Sequence, residues 1–239
     1  MPDAIRPSLV IAAIVLASAA SVTVDPPELR INPTSELIET VDATWSGSNF
    51  NVRHTQTTTS GEKETSILLT TNSANDLDPR IGIAPDGDVV VVWWRDLSVD
   101  KLIYRKRDVT TGLWGAERVV GVTTESSSRP RVIYVGDIAW VAYTIQNPKS
   151  RSIGVQIIDD TPEPIRSIIA TTSYTGDLDI QLEAEAGHLW VTWIDSSTLV
   201  GYAEYSFESH LWSLPYRESY AGGTVAAARE RIRNRILGF

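Results

Sequence analysis

The chain has 239 residues, of which 42% are hydrophobic, so it can bury one medium-sized core more readily than two small ones. Its net charge of −9 at pH 7 argues against a nucleic-acid partner, because binding phosphates needs clustered lysine and arginine. Cysteine is absent and the three histidines have no ligand spacing, which excludes disulfides, a thiolate nucleophile and cysteine-bound metals, and we expect no cofactor.

The N-terminus has the pattern of an export signal in residues 1–20. Arg6 precedes an apolar stretch, residues 9–20, that ends in the small residues a signal peptidase accepts. This stretch is short for a bilayer span, so an uncleaved anchor or a buried helix are the alternatives. Residues 21–35 are rich in proline and predict an extended linker. We therefore expect a secreted protein or one of the bacterial cell envelope or periplasm.

Residues 36–222 contain a repeat of 49 to 50 residues. The segments "VVWWRD", "WVAYTI" and "WVTWID" align on Trp94, Tyr143 and Trp193, and Trp45 lies 49 residues before Trp94. A glycine turn precedes each of these segments and a further extended run precedes each turn, which is the pattern of a hairpin. We interpret the aligned aromatics as blade-packing residues. Trp93, whose neighbours in phase are small, is then the aromatic peculiar to its blade.

Four short strands in a unit of this length predict an all-β chain that forms a β-propeller of about four blades. A β-sandwich also uses many short strands and is the alternative. The first unit lacks an innermost strand, which has to come from residues 29–32 or from the C-terminal side. If the propeller is open instead of closed, its unpaired blade faces favour completion by a second subunit as a homodimer.

The order of these segments, together with the turn from Asp108 to Trp114, resembles blades of the sialidase (neuraminidase) superfamily. That family carries Asp-box turns of the form Ser-x-Asp-x-Gly-x-x-Trp between its outer strands. Here Gly112 stands two residues before Trp114 instead of three, and the corresponding turn at residues 206–212 has no glycine. The resemblance covers residues 78–219 and implies blade architecture more strongly than it implies activity.

The resemblance also implies what a sialidase site would need, namely three arginines around a carboxylate, a tyrosine–glutamate nucleophile pair and an aspartate acid/base, spread over six blades. Arg80 and Arg131 follow prolines at equivalent positions, but the third such position holds Ile180 or Gln181. Glu204 with Tyr202 or with Tyr205 would have to form the nucleophile pair.

The residues therefore favour a non-catalytic binding or scaffolding module for a glycan or protein ligand, and the alternative is a small glycoside hydrolase of exo-sialidase type. We predict no catalytic residue. The ligand-binding candidates are Arg80, Arg131, Trp93, Asp96 and Asp195. The acidic cluster of Asp76, Asp78, Asp86 and Asp88 lacks the ligand spacing of a calcium loop, so we expect no metal.

Residues 223–239 predict a basic amphipathic helix. Apolar side chains recur at helical spacing from Val225 to Phe239, and four arginines lie on the other face. Such a helix can dock on its own acidic propeller. The alternative is a weak contact with a membrane surface or a partner, since basic amphipathic helices also suit anionic lipid.

Overall fold

The computed structural model describes residues 27–123, 129–147, 149–158, 166–174 and 178–239. The expected export signal, residues 1–20, lies outside the described residues. The described part is almost entirely β-structure, arranged as four antiparallel sheets followed by one helix. This confirms the predicted propeller of about four blades.

The four sheets follow one another along the chain, and we call them blades 1 to 4. Blade 1 consists of β1 (Glu28–Ile31), β2 (Ile38–Trp45), β3 (Phe50–Thr57) and β4 (Lys63–Leu68). Blade 2 consists of β5 (Asn75–Ile83), β6 (Val89–Asp96), β7 (Asp100–Arg107) and β8 (Arg118–Thr123). Blade 3 consists of β9 (Arg131–Val135), β10 (Ile138–Asn147), β11 (Ser150–Ile158) and β12 (Arg166–Thr172).

Blade 4 has one more strand than the others. It consists of β13 (Gln181–Glu185), β14 (His188–Ser196), β15 (Leu199–Ser206), β16 (Leu211–Trp212) and β17 (Tyr216–Ser219). The short strands β16 and β17 share the outer position, because both pair with β15. The innermost strand of blade 1 is β1. The strand that the first repeat lacks therefore comes from the region of residues 29–32, and not from the C-terminal side of the chain.

Each blade has two distinct ends, because neighbouring antiparallel strands alternate in direction. The hairpin turns between first and second strands and between third and fourth strands lie at one end, which we call the turn end; in blade 2 these are residues 84–88 and 108–117. At the other end, which we call the link end, the chain passes from one blade to the next. Consecutive blades pack face to face through their inner strands.

The strand β6 shows how both faces of a blade are covered. Val91 and Trp93 point into the core between blades 1 and 2, whereas Val92 and Trp94 point into the core between blades 2 and 3. All four side chains have no exposed surface. The unbroken apolar run of this strand therefore has the burial expected for a strand covered on both sides.

The orientation of the aromatic residues corrects the alignment made from the sequence. Trp93 faces blade 1, Tyr143 faces blade 2 and Trp193 faces blade 3, so these three residues are structurally equivalent. Trp94 points the other way, and its ring lies 6.2 Å from that of Tyr143. The prediction that Trp94 belongs to the series and that Trp93 is the exception was thus wrong by one residue, which in a strand exchanges the two faces. Trp45, the weaker fourth member, is largely exposed.

The equivalent aromatics of blades 3 and 4 lie across a glycine of the neighbouring strand. Tyr143 is paired with Gly154, and Trp193 is paired with Gly201. A Cβ atom at Gly201 would overlap the indole ring of Trp193, and one at Gly154 would come within 3.1 Å of the Tyr143 ring. Glycine is needed at these positions because the ring lies flat over the backbone of the next strand.

A buried charge network joins blades 1 and 2 at the turn end. The Glu39 carboxylate has no exposed surface and accepts hydrogen bonds from Arg107 Nη2 at 2.7 Å, from Asn32 Nδ2 at 3.2 Å and from Gln56 Nε2 at 3.1 Å. His54 Nε2 lies 2.6 Å from its other oxygen. Burial acts to raise the pKa of Glu39, but the hydrogen bonds from His54 and Arg107 and the charge of Arg107 outweigh it and hold that pKa below its ordinary value.

The C-terminal helix α1 (Val225–Leu237) covers the face of blade 4 that points away from blade 3. Ala228 and Ile232 are buried against Val200 and Tyr202 of β15. Among the described residues, substantial packing joins consecutive blades only, so α1 takes the place that a further blade would have. Phe239, which the helical pattern placed on the apolar face, follows the helix and is exposed. No helix in the described ranges is long and apolar enough to cross a membrane.

The four arginines of α1 all bond to blade 4 or to the residues beside it. Arg229 bonds to Asp179 and Thr192, Arg231 to Glu218, Arg233 to Glu185, and Arg235 to Glu218 and Tyr202. The helix thus docks on the acidic propeller of its own chain, as one of the two interpretations of the sequence expected.

Replacing Gly201 by alanine is expected to lower the free energy of unfolding by about 1–3 kcal/mol, because the added methyl group overpacks a tryptophan held between two blades. Urea unfolding followed by fluorescence measures this change. Gly223→Ala is the matched control, because a Cβ there meets only a backbone oxygen at 3.7 Å. Equal stability of the Gly201→Ala and Gly223→Ala variants would contradict the tight packing of Trp193.

Glu39→Gln is expected to destabilise the chain by about 3–5 kcal/mol at pH 7, because it leaves Arg107 buried beside an uncharged partner. Since the folded-state pKa of Glu39 is lowered, its contribution is present above the ordinary glutamate value of about 4.3 and is lost as the pH falls through the folded-state value. Urea midpoints between pH 7 and pH 3 should therefore fall less steeply in Glu39→Gln than in the parent chain. Glu62→Gln, at an exposed turn of the same blade, should leave both the stability and its pH dependence unchanged.

Candidate functional site

The two arginines singled out from the sequence lie at the link end, on the innermost strands of neighbouring blades. Arg80 follows an irregularity in β5, where the register with β6 shifts between Leu77 and Arg80 and Asp78 has a positive φ of 51°. Such a bulge re-aims the side chains beside it. The Arg80 guanidinium is buried, donates from Nη1 to the Pro79 carbonyl at 3.1 Å, and has no hydrogen-bond partner for Nε in the described structure.

Arg131 begins β9 in blade 3 and lies close to Arg80. Burial lowers the pKa of Arg131, and the positive charge of Arg80 lowers it further, against the opposing effect of Asp179 and Glu28. Its Nε donates to Gln181 Oε1 at 3.3 Å, and its Nη2 lies 3.8 Å from Asp179 Oδ1. The buried Arg80 and the half-buried Arg131, for which the described residues supply one long carboxylate contact, form an electropositive spot suited to an anion.

A third guanidinium reaches this region from α1. Arg229 donates to Asp179 Oδ2 at 2.8 Å, to the Asp179 carbonyl and to Thr192 Oγ1 at 3.0 Å. Asp179 therefore lies between Arg131 and Arg229. The repeat pattern, which has no third arginine at the start of β13, does not indicate Arg229, because this residue is distant in sequence and belongs to the helix. The only signal for it is the run of arginines in that helix.

The cleft between β13 and α1 continues the site away from Arg131. Gln181, Glu183 and Arg229 line it. Burial raises the pKa of the Glu183 carboxyl above its ordinary value, and the nearby Arg229 and Arg233 only partly oppose this effect. The site thus changes from positive at Arg80 and Arg131 to mixed charge under the helix.

The remaining ligand-binding candidates have structural contacts. Trp93 has no exposed surface, and its indole N–H donates to Asp76 Oδ1 at 3.1 Å, so the ring offers no face to a ligand. Asp195 accepts from Arg217 Nε at 2.5 Å and thereby holds β17 on blade 4. Asp96 is exposed at the end of β6, where its Oδ2 accepts a long hydrogen bond of 3.5 Å from Asn75 Nδ2.

No hydrogen bond in the described structure joins the tyrosine–glutamate pairs that the sequence offered to Arg80 or Arg131. Tyr202 lies beneath α1 and accepts from Arg235 Nη1 at 3.0 Å. Tyr205 and Glu204 lie at the turn end of β15, where Glu204 Oε1 is 2.7 Å from His188 Nδ1. Tyr205 and Glu204 therefore lie at the other end of blade 4 from Gln181, which bonds Arg131, whereas Tyr202 lies beneath α1 in one cross-strand row with Thr192 and Gln181.

The acidic cluster in blade 2 is structural. Asp76 is buried and accepts from Arg95 Nε at 2.7 Å, and Asp88 accepts from the Val109 amide at 2.8 Å. Asp86 accepts from the Asp88 amide at 3.1 Å. Within the described ranges, no group of three or more histidine and acidic side chains is arranged to hold a metal ion.

The turn that resembles an Asp box has the hydrogen bonds such a turn needs. Asp108 Oδ1 accepts from the Thr111 amide at 2.8 Å and from its hydroxyl at 3.1 Å, which holds the pKa of Asp108 below its ordinary value. Gly112 has a positive φ of 68°, and in the corresponding turn of blade 4 His210 takes that place with a φ of 56°. The Ser206 hydroxyl replaces the aspartate there and accepts from the Ser209 amide at 3.1 Å.

Comparison with solved structures finds enzymes with a similar arrangement of strands. A Hadza microbial sialidase superposes with a TM-score of 0.54 and 13% sequence identity, over 79% of this chain and 45% of the sialidase. The leech intramolecular trans-sialidase gives a TM-score of 0.47 at 13% identity, over 80% of this chain and 30% of that enzyme. An exo-β-1,3-galactanase from Phanerochaete chrysosporium gives 0.48 at 10% identity, over 81% and 49%.

No protein-family profile matches the sequence, and a search of curated proteins gives no match either. The chain spans less than half the length of each of the three enzymes. The order of strands, the Asp-box-like turn and the superposition agree on the architecture. The chain therefore has a fold similar to that of a sialidase β-propeller.

Proposed function

We propose that this chain is a non-catalytic, exported propeller that binds an acidic glycan at its link end, with the carboxylate of the sugar between Arg80 and Arg131. The observation that carries the proposal is the pair of neighbouring guanidiniums on adjacent inner strands, one of which has a buried Nε without a partner among the described residues. A carboxylate would relieve their repulsion and accept charge-assisted hydrogen bonds from both.

The position of Asp179 supports this assignment. Its contact with Arg131 is long, at 3.8 Å, whereas its contact with Arg229 is short, at 2.8 Å. Asp179 thus bonds more closely to Arg229 of the helix than to Arg131, which leaves Arg131 able to bind an anionic group of the ligand. The export part of the proposal rests on the apolar stretch at residues 9–20.

The absence of a catalytic role is supported by the placement of Tyr202, Tyr205 and Glu204. A sialidase nucleophile must lie within reach of the sugar whose carboxylate the arginines hold. Tyr202 lies under α1, and the other two residues lie at the turn end. The candidate nucleophile pairs therefore do not face a ligand bound between Arg80 and Arg131.

Arg131→Gln is expected to weaken binding of 3′-sialyllactose by about 10- to 100-fold, because one charge-assisted contact to the carboxylate is lost. Calorimetric or NMR titration measures the affinity. Lactose, which lacks the carboxylate, should bind the parent chain and the variant with equal affinity. Arg118→Gln, an exposed arginine at the turn end of blade 2, is the matched control and should leave both affinities unchanged. Equal affinity of Arg131→Gln and the parent chain for 3′-sialyllactose would contradict the proposed site.

An aromatic sialidase substrate is expected to show no turnover above the buffer rate with the parent chain. The fluorescence of the released product, followed over time, measures this turnover. Turnover that disappears in both Arg80→Ala and Arg131→Ala would overturn the non-catalytic assignment and favour a small hydrolase of exo-sialidase type.

A further inference from the structure

A second cleft lies at the turn end of blade 4, in a different blade from Arg80 and Arg131. It has a volume of about 440 Å³, and its walls come from β15, from the turn at residues 206–210 and from β16. Tyr205, Phe207 and Trp212 supply three aromatic rings, and His188 and Glu204 supply the polar groups. We call these five residues the aromatic cleft.

The three rings form one contiguous cluster. Tyr205 lies 5.2 Å from Phe207 in an edge-to-face contact and 5.4 Å from Trp212 in a tilted one. Trp140 of blade 3 packs behind them, with its ring 4.8 Å from that of Tyr205. Phe207 is 38% exposed although it is held in place by Tyr205, so the cluster presents a rigid aromatic surface to solvent.

The corresponding turn of blade 2 shows that the turn itself does not require this cluster. Val109 stands where blade 4 has Phe207, and Arg107 stands where blade 4 has Tyr205. In blade 2 that position serves the buried network with Glu39, and only Trp114 remains as an aromatic ring. Blade 4 has aromatic residues in place of this charged contact between blades. The rings of Tyr205 and Phe207 have no aromatic counterpart in the turn of blade 2.

Polar groups lie beside the aromatic surface. Glu204 Oε1 and His188 Nδ1 are 2.7 Å apart, and their side chains are 38% and 40% exposed. The pair holds a carboxylate and an imidazole together at the edge of the cleft, each with further hydrogen-bonding capacity. The indole N–H of Trp140, buried behind the rings, has no hydrogen-bond partner in the described part of the chain.

We propose that the aromatic cleft is a second ligand site that takes a neutral hexopyranose of a glycan. The C–H face of such a sugar stacks on the rings of Phe207 and Trp212, and its hydroxyl groups bond to Glu204 and His188. Apolar walls with a few convergent polar groups are the usual chemistry of such sites. The carboxylates of Glu204 and Glu208 at the cleft disfavour an acidic sugar, so this site differs from the arginine pair in the class of ligand that it selects.

The site does not depend on the acidic-glycan site proposed above. The two lie in different blades, with Arg80 and Arg131 on the inner strands of blades 2 and 3 and the aromatic cleft on the outer strands of blade 4. Loss of binding at Arg131 therefore leaves the aromatic cleft intact, and the converse holds as well. A chain with both sites would hold two sugars of a glycan-coated surface at once and gain avidity.

The test uses saturation-transfer NMR and titration of the full chain with lactose and cellobiose. Both sugars should receive saturation from aromatic protons, and Phe207→Ala should weaken their binding about three- to tenfold, which is the size of one lost aromatic contact. Glu204→Gln keeps the shape of the side chain and should weaken binding through the lost carboxylate. Phe239→Ala removes another exposed phenylalanine, after α1 and outside the cleft, and as the control it should change nothing.

The thermal midpoint of each variant shows whether it is folded, and Glu204→Gln keeps the test valid if Phe207→Ala is destabilised. Absence of saturation transfer to either sugar would overturn the proposal. So would equal affinities in the parent chain and in both cleft variants, or a loss on Arg131→Gln in place of Phe207→Ala.

Discussion

Every other feature of this chain depends on the need to cover both faces of each four-stranded sheet. A strand such as β6, apolar on both faces, cannot be exposed to water on either side, so each blade is stable only against its neighbours. Blade 2 has such neighbours in blades 1 and 3. The same packing brings the inner strands together, and this is why Arg80 and Arg131, 51 residues apart in sequence, come close enough for the charge of Arg80 to lower the pKa of Arg131.

The contacts between blades are not all of one kind. Blades 3 and 4 meet through an apolar core that contains Trp193, whereas blades 1 and 2 add the buried network of Glu39, Arg107 and His54. A network of this type is a weak source of net stability but penalises any arrangement that leaves one member unpaired. It therefore favours one relative position of blades 1 and 2, whereas aromatic packing determines the relative position of blades 3 and 4.

The sequence predicted the architecture well because a repeat of four strands is a property of long segments. It predicted the faces of individual residues less well. The turn before β6 spans residues 84–88, whereas those before β10 and β14 span only residues 136–137 and 186–187. Because these turns differ in length, aligning the repeats by their amino-acid sequence places the residues of β6 one position out of register with those of β10 and β14. In a structure of period two, that displacement exchanged Trp93 and Trp94. At the candidate site, Arg80 and Arg131 were predicted from their local pattern, but Arg229 was not, since only tertiary docking of α1 brings it there.

The docking of α1 covers the face of blade 4 that points away from blade 3. Repeat architectures need terminal elements that are apolar inside and polar outside, because otherwise the last repeat exposes a face that can recruit more of its own kind. Ala228 and Ile232 provide the inner side of such an element, and the arginines anchor it to Asp179, Glu185 and Glu218. These contacts are ionic at their margin and apolar only over a small area. High salt should therefore detach α1 before it unfolds the blades. Blade 4 would then be the first part of the chain to expose a face that can pack against another molecule.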